Sequence, residues 1–416
     1  MKKRLLLVTA GFPFGESERS FLSEEVKHLA AEFDLFVMAP QNQDKLLYPT
    51  DGIQKIVRYH FPSLRKSLSV AMLKNVFHPA TLCEVWKCWN KNGFSNLFPA
   101  FREIVYFRFC AWELEKQLTE LVQAEKIDAV YTYWSTACAL GAVDLKKRFP
   151  HLKVVTRFHG MDLYEERTKI HWQPFRNRIA RMADGLCFAC EYGRAYFARH
   201  WGKDCAHKMG LFYLGSTDRG ILNDGNRKPL QIISCSNLIP LKRVEVIIEA
   251  LAMLPETVEI AWDMFGDGQE REKLEELARK RLGSCSNIRW KFHGFVPNAL
   301  LTQEYGKILP QLFITTSSTE GGAPVSIQEA FSMGIPAIGT EVGGIPDLIL
   351  DGQTGYLIPQ TAEPAHVAKA IEKFVALPEN EKLRMRDAAR QRWELKFDAV
   401  KNGAKFAEYL RTLVSE

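Results

Sequence analysis

SSTEGGAPVSIQEAFSMGIP, running from Ser317 to Pro336, is the stretch whose reading decides the fold. A short apolar run, Leu312 to Thr316, precedes it and reads as a strand. A Gly-Gly turn follows, then a helix that opens on Pro324 and stops at Gly334-Ile335-Pro336. Pro at the first helical position and Gly just past the last turn are the expected start and stop signals. A glycine turn ahead of a helix N-terminus presents free amide N–H groups and the positive end of the helix dipole, which suits a phosphate. Ser326 and Glu329, three apart, share a polar stripe on an otherwise apolar helix. The same spacing also fits an ordinary strand–turn–helix unit with a surface glutamate.

Working outward, the pattern repeats on both sides. Strand signals at Gln231 to Ser236, Val258 to Phe265, Ile288 to His293 and Ala337 to Thr340 alternate with helical patterns at Val244 to Leu254 and Glu270 to Leu282. An earlier set holds strands at Arg4 to Ala10, Asp34 to Ala39, Lys55 to His60, Ala129 to Trp134, Lys153 to Phe158 and Gly185 to Cys190. Alternation of this kind predicts parallel sheets covered on both faces. Clusters of Gly, Asn and Asp at Leu214 to Asp218 and Asn223 to Asn226 read as a hinge between the sets. The expected architecture is therefore α/β, with two Rossmann-like doubly wound domains facing a central cleft. Their expected limits are 1–216 and 217–395, with a last helix in 396–416. The interval 61–125 is too long for a simple crossover and reads as a helical insertion in the first domain. It holds Arg65, Lys66, Lys74, Trp86, Trp89, Phe98, Phe101 and Phe107. These either pack inward as a subdomain or present a face to a lipid-linked or membrane-associated acceptor.

Composition narrows the function classes. The 416 residues carry a formal net charge of +6, which fits an anionic substrate or membrane surface and falls short of a nucleic-acid footprint. No apolar run approaches the length of a membrane span, and Met1-Lys2-Lys3-Arg4 leads into a strand pattern rather than a signal peptide. Nine cysteines, one C-x-x-C among them (Cys187 and Cys190), read as buried free thiols in a reducing cytoplasm rather than a zinc site. The first strand ends in Gly11-Phe12-Pro13-Phe14-Gly15, which lacks G-x-G-x-x-G, so a nicotinamide enzyme is disfavoured.

Three further stretches carry chemistry. His159-Gly160-Met161-Asp162 follows a strand, and in open α/β sheets the ligand crevice lies beyond the carboxyl ends of the strands. A lone histidine is more often structural, so both readings stay open. Lys242-Arg243 stands at the start of a helix, where a cation is unfavourable by about 0.3–1 kcal/mol unless an anion binds beside it. Gly266-Asp267-Gly268 supplies too few oxygen ligands for a metal and reads as a turn.

Together these stretches resemble the GT-B glycosyltransferases, specifically the retaining family numbered four, or group 1. The resemblance covers nearly the whole chain. It is strongest at Glu320 to Pro359 (EGGAPVSIQEAFSMGIPAIGTEVGGIPDLILDGQTGYLIP), Ser236 to Leu251 (SNLIPLKRVEVIIEAL), Phe265 to Leu277 and Thr156 to Tyr164. It implies a nucleoside-diphosphate sugar as co-substrate, no metal, and a glycan or lipid-linked acceptor handled at the inner membrane face. It further implies that Glu329 binds the ribose, that Lys242 and the amides of Gly321, Gly322, Ala323 and Val325 hold the diphosphate, and that Glu320 sits near the donor sugar. His159, with Asp162, would reach the sugar from the first domain, and Gly11 to Gly15 would line the cleft floor. The last helix would return to the first domain.

Two departures stand out. Eight residues rather than the usual seven separate Glu320 from Glu329. Asn237 and Ile239 occupy the positions where the family often has an arginine, so Arg243 is its expected substitute. The implied activity is glycosyl transfer in surface-polysaccharide assembly. A nucleotide-sugar epimerase or hydrolase, and a non-catalytic two-lobed binding protein, are the alternatives.

Overall fold

In the computed structural model the described residues are 2–15, 18–41, 45–61, 75–93, 97–222 and 227–415, with backbone only at 19–21. The Asn223 to Asn226 part of the expected hinge, and Arg65, Lys66 and Lys74, lie outside them. The chain divides into two compact units: residues 1–213 with 399–416, and Leu214–Asp398.

The first unit is built on β1 (Arg4–Val8), β2 (Asp34–Pro40), β3 (Ile53–Tyr59), β4 (Ala129–Thr132), β5 (Lys153–Phe158), β6 (Gly185–Phe188) and β7 (Met209–Leu211). The sheet order is β3-β2-β1-β4-β5-β6-β7, with every pairing parallel. Leu5, Leu6 and Leu7 are wholly buried, as a strand covered on both faces requires. Helices Pro79–Asn92 and Leu97–Glu125 fall in the interval 61–125. Ile104, Phe109 and Leu114 join the core, whereas Trp86 (57%) and Phe98 (76%) stay exposed. The final helix, Ala399–Ser415, lies against helix Arg19–Glu32, with Arg411 3.4 Å from Glu32 and Phe406 4.2 Å from the guanidinium of Arg157. That guanidinium is wholly buried and closes a 2.6 Å ion pair with Glu25.

The second unit repeats the plan. Strands β8 (Leu230–Cys235), β9 (Ile260–Phe265), β10 (Ile288–Gly294), β11 (Leu312–Thr315), β12 (Ala337–Thr340) and β13 (Gly355–Ile358) run parallel in the order β10-β9-β8-β11-β12-β13. Its core centres on Trp262, Ile232, Ile338 and Ile371. Helix Val325–Ser332 ends in a Schellman motif: Gly334 (φ +73°) donates to Phe331 O, and Ile335 donates to Ala330 O. Gly266-Asp267-Gly268, expected as a turn, is an irregular segment held to the neighbouring loop, with Asp267 O accepting from Leu238 N, and the turn follows at 269–270.

Several details differ from the sequence reading. The unit boundary falls at 213/214 instead of 216/217, because Ser216 binds Phe397 O through its amide and Trp393 Nε1 through its hydroxyl. The second crossing falls at 398/399 rather than 395/396. Strands β7 and β13, each at an edge of its sheet, carry no prediction. Finally β6 stops at Phe188, because Cys190 leaves the ladder to cap the next helix by accepting from Gly193 N. Cys187 and Cys190 are buried free thiols.

Candidate functional site

Each sheet has one place where the strand order reverses, and ligands in doubly wound folds bind outside the carboxyl ends of the strands there. In the second unit that place lies between β8 and β11. The loops leaving these strands are 236–243 and 316–324, which hold Asn237, Lys242, Arg243, Glu320 and the glycine turn.

Short polar side chains fasten the two loops together. Thr316 Oγ1 donates to the carbonyls of Lys242 (3.2 Å) and Arg243 (2.8 Å), and Ser318 N donates to Leu241 O at 2.9 Å. This lacing brings Lys242 Nζ to 2.5 Å from Glu320 Oε1. Glu320 therefore holds the lysine rather than standing apart as a separate acid. Arg243 adopts a left-handed backbone (φ +50°), and its guanidinium donates to Ala362 O at 2.6 Å. That bond engages the group expected to replace the family's missing arginine. Asn237 stands exposed, its carbonyl accepting from Ile239 N.

The glycine turn is shaped from beneath. Gly344 N donates to Gly322 O at 3.2 Å. A Cβ at Gly343 would lie 2.2 Å from Glu320 O, and one at Gly344 only 2.4 Å from Ala323 N, so only glycine lets the two turns touch. Gln328, wholly buried, donates to Ala323 O at 2.9 Å. Among the described residues, the amides of Gly322, Ala323 and Val325 have no acceptor. They lie at the start of helix Val325–Ser332, where backbone N–H groups have no intrahelical partner and the dipole is positive.

Glu329 is no surface side chain, being 7% exposed. Its Oε1 accepts from Asn298 Nδ2 at 2.6 Å and Arg219 Nη2 at 2.8 Å, and Arg219 also donates to Asn298 Oδ1. Its Oε2 has no partner among the described residues. The sequence reading missed Arg219, Asn298, Gln328 and Thr316. Thr316 and Gln328 lay in stretches already singled out, whereas Arg219 and Asn298 act through contacts distant in sequence.

In the first unit the reversal lies between β1 and β4, whose exit loops hold Gly11 to Gly15 and Trp134. Here the sequence expectation needs correction. The buried carboxylate of Glu18 accepts from Ala10 N (2.9 Å), Gly11 N (2.8 Å), Phe12 N (2.7 Å) and Trp134 Nε1 (2.6 Å). Phe14 N and Gly15 N both donate to Gly11 O. The turn's amides are thus satisfied within the unit and offer a phosphate nothing.

His159 packs 4.4 Å from Trp134 and 4.7 Å from Tyr133, with Nε2 3.0 Å from Tyr133 O. A carbonyl only accepts, so Nε2 carries the proton and Nδ1 is the acceptor. Burial, reinforced by Arg157, lowers the His159 pKa to about 3, so the ring is neutral at physiological pH. Asp162 accepts from Ser135 N (2.7 Å) and His159 N (2.8 Å) and is 4% exposed, so it positions the His159 loop. Burial raises its carboxyl above the usual range, opposed by Arg176 and those two amides. Among the described residues no three His, Cys, Asp or Glu side chains gather as metal ligands, and no helix is long and apolar enough to cross a membrane.

Residues 223–392 match the family model of the group 1 glycosyl transferases. The match covers most of the second unit. Lys242, Glu320, Glu329 and the glycine turn all fall inside the matched span, whereas Arg219, His159, Asp162 and Gly11 to Gly15 fall outside it. WcaL of Salmonella typhimurium, a glycosyltransferase assigned to colanic acid biosynthesis, is 28% identical over 230 residues, covering 53% of this chain and 55% of that protein. The chain thus spans about half the length of that relative. Among solved structures, HepE of Anabaena in complex with UDP superposes with a TM-score of 0.68 at 17% identity, covering 99% and 100% of the two chains. The lipopolysaccharide outer core galactosyltransferase WaaB gives 0.68 at 15% identity, covering 98% and 99%. At these identities the likeness shows the fold, which is that of the GT-B enzymes.

Proposed function

We propose that the protein is a retaining glycosyltransferase of surface-polysaccharide assembly. It moves a hexosyl group from a nucleoside-diphosphate sugar to a hydroxyl of a glycan or lipid-linked acceptor, without a metal, in the cytoplasm at the inner face of a membrane. The observation that carries this reading is the turn 320–325. Three unpartnered amides, a helix N-terminus and the Lys242 ammonium belong to loops leaving the two strands at the sheet's reversal point.

Breaking the bond from sugar to diphosphate develops negative charge on the leaving phosphate, and fixed dipoles and cations stabilise it. Lys242 and the amides of Gly322, Ala323 and Val325 fill that role. Glu320 keeps Lys242 in position, and the ammonium exchanges part of that contact for the phosphate when donor binds. Glu329, with Oε1 fixed by Asn298 and Arg219, offers Oε2 to the ribose hydroxyls. His159, neutral and with Nε2 committed to Tyr133, accepts from a sugar hydroxyl through Nδ1. Exposed Trp86 and Phe98 support a peripheral membrane contact.

A thermal-shift screen of nucleotides and nucleotide-sugars tests the reading, since a ligand of the folded state raises the melting temperature by mass action. A nucleoside diphosphate is expected to stabilise the protein, and Lys242→Ala and Glu329→Ala are expected to remove that shift. No response to any nucleotide would refute the assignment. Nucleotide release without an acceptor would favour the hydrolase.

A further inference from the structure

The first unit holds a cavity of about 250 Å³ that plays no part in the donor chemistry. Its wall includes Trp134, which packs on His159, and Asp162, which holds the His159 amide. The cavity therefore shares a wall with the histidine assigned to the reaction.

What lines it is carbon. Phe107, Trp134, Met161, Ile170, Trp172 and Pro174 supply most of the surface. The polar lining groups are bonded into the protein. Trp134 Nε1 goes to Glu18 and Trp172 Nε1 to Glu84 (3.1 Å), leaving the indole rings as apolar surface. Gln173 Nε2 donates to Met161 O and Tyr164 O while its Oε1 accepts from Arg176. Ser135 Oγ accepts from Arg176, and Thr168 Oγ1 donates to Glu165 O. A sugar ring would find few hydroxyl partners here, and an apolar group loses nothing by entering.

Two charged residues complete the lining. Glu103 is paired with Arg102 at 3.1 Å. Lys169 is exposed and has no ion-pair partner among the described residues. An unpaired cation beside an apolar recess matches a ligand with an anionic head and a hydrocarbon body. The surroundings agree with a lipidic source. Trp172 is tied to Glu84 on helix Pro79–Asn92, and that helix exposes Leu82, Trp86 and Trp89 at i, i+4 and i+7, one continuous apolar stripe.

We propose that this cavity binds the hydrocarbon chain of a lipid-phosphate acceptor, with Lys169 at the phosphate. The reading rests on the transferase function proposed above and names the class of its acceptor.

Titration of the full chain with decyl phosphate, butyl phosphate and inorganic phosphate, all below micelle formation, tests it by tryptophan fluorescence. The expected order is decyl tightest, by at least tenfold over butyl, with inorganic phosphate weakest. Met161 is 63% exposed, so Met161→Glu folds normally; it is expected to weaken decyl phosphate at least tenfold and leave UDP binding unchanged. Lys169→Glu is expected to weaken both alkyl phosphates several-fold and to leave the decyl-to-butyl ratio intact. Affinity independent of chain length, or unaffected by Met161→Glu, would overturn the proposal. Because UDP is titrated in parallel, absence of UDP binding by the unmodified chain counts against the transferase reading, separately from the cavity.

Discussion

The two sheets share a strand order, yet the turns at their reversal points have opposite uses. In the first unit, Ala10 to Gly15 forms an anion-binding cradle already filled by the protein's own carboxylate, Glu18. In the second, Glu320 to Val325 leaves the amides of Gly322, Ala323 and Val325 without an acceptor and stations Lys242 beside them. The difference teaches that topology sets where a site can be, and side chains decide whether it is open. Both turns hold two glycines and follow a strand, so the glycines alone do not separate an anion site from a self-satisfied turn.

The largest effects should come from removing the charge that defines each turn. Lys242→Ala is expected to lower kcat/KM for transfer by about 100-fold or more, the usual scale for losing one preorganised stabiliser of developing charge, with little change in melting temperature. Glu18→Ala should do the reverse. It orphans four buried or half-buried donors, at about 1–3 kcal/mol for each that water cannot reach, so the first unit's melting temperature falls by several degrees while nucleotide affinity holds. Calorimetry with parallel UDP titration checks both, and a matching pattern in the two variants would erase the contrast.

A smaller effect is expected from Gly344→Ala, whose Cβ would press on Ala323 N and Gly322 C at 2.4 Å. Carrying that Cβ from 2.4 Å out to 3.0 Å displaces the turn by at least 0.6 Å and misaims its amides, and nucleotide affinity should fall about tenfold with the fold retained. Titration of this variant sharpens the comparison, because no charge changes.

The last effect concerns pH. His159 has its pKa lowered from 6.5 to about 3 in the folded protein, so between those values the unfolded chain binds more protons. Stability contributed by this group is complete above pH 6.5 and declines as pH falls toward 3, by at most about 1.4 kcal/mol per pH unit. In His159→Asn that component of the slope should vanish, measurable by denaturant unfolding between pH 4 and 7.

The alternating apolar runs made both sheets legible in the sequence, and Lys153–Phe158 and Ala337–Thr340 form strands with the bounds their pattern predicts. Helix Val325–Ser332 with its Gly334 stop was equally readable, because caps and stops are local. The pairing of Lys242 with Glu320 was not, since the residues are 78 apart and meet only through loop lacing. Glu18 was missed for a related reason. It precedes a helix as an ordinary acidic residue would, and nothing in Gly11 to Gly15 announces that its amides are already bonded. Arg219 converges on Glu329 from a loop and Asn298 from the first turn of helix Asn298–Ile308, and neither carries a motif.

Hydrogen–deuterium exchange with and without UDP tests the central claim most directly. The account predicts slowed exchange across residues 316–326 and unchanged exchange across 10–15. Slowing confined to 10–15, or none at 316–326 under saturating UDP, would contradict it.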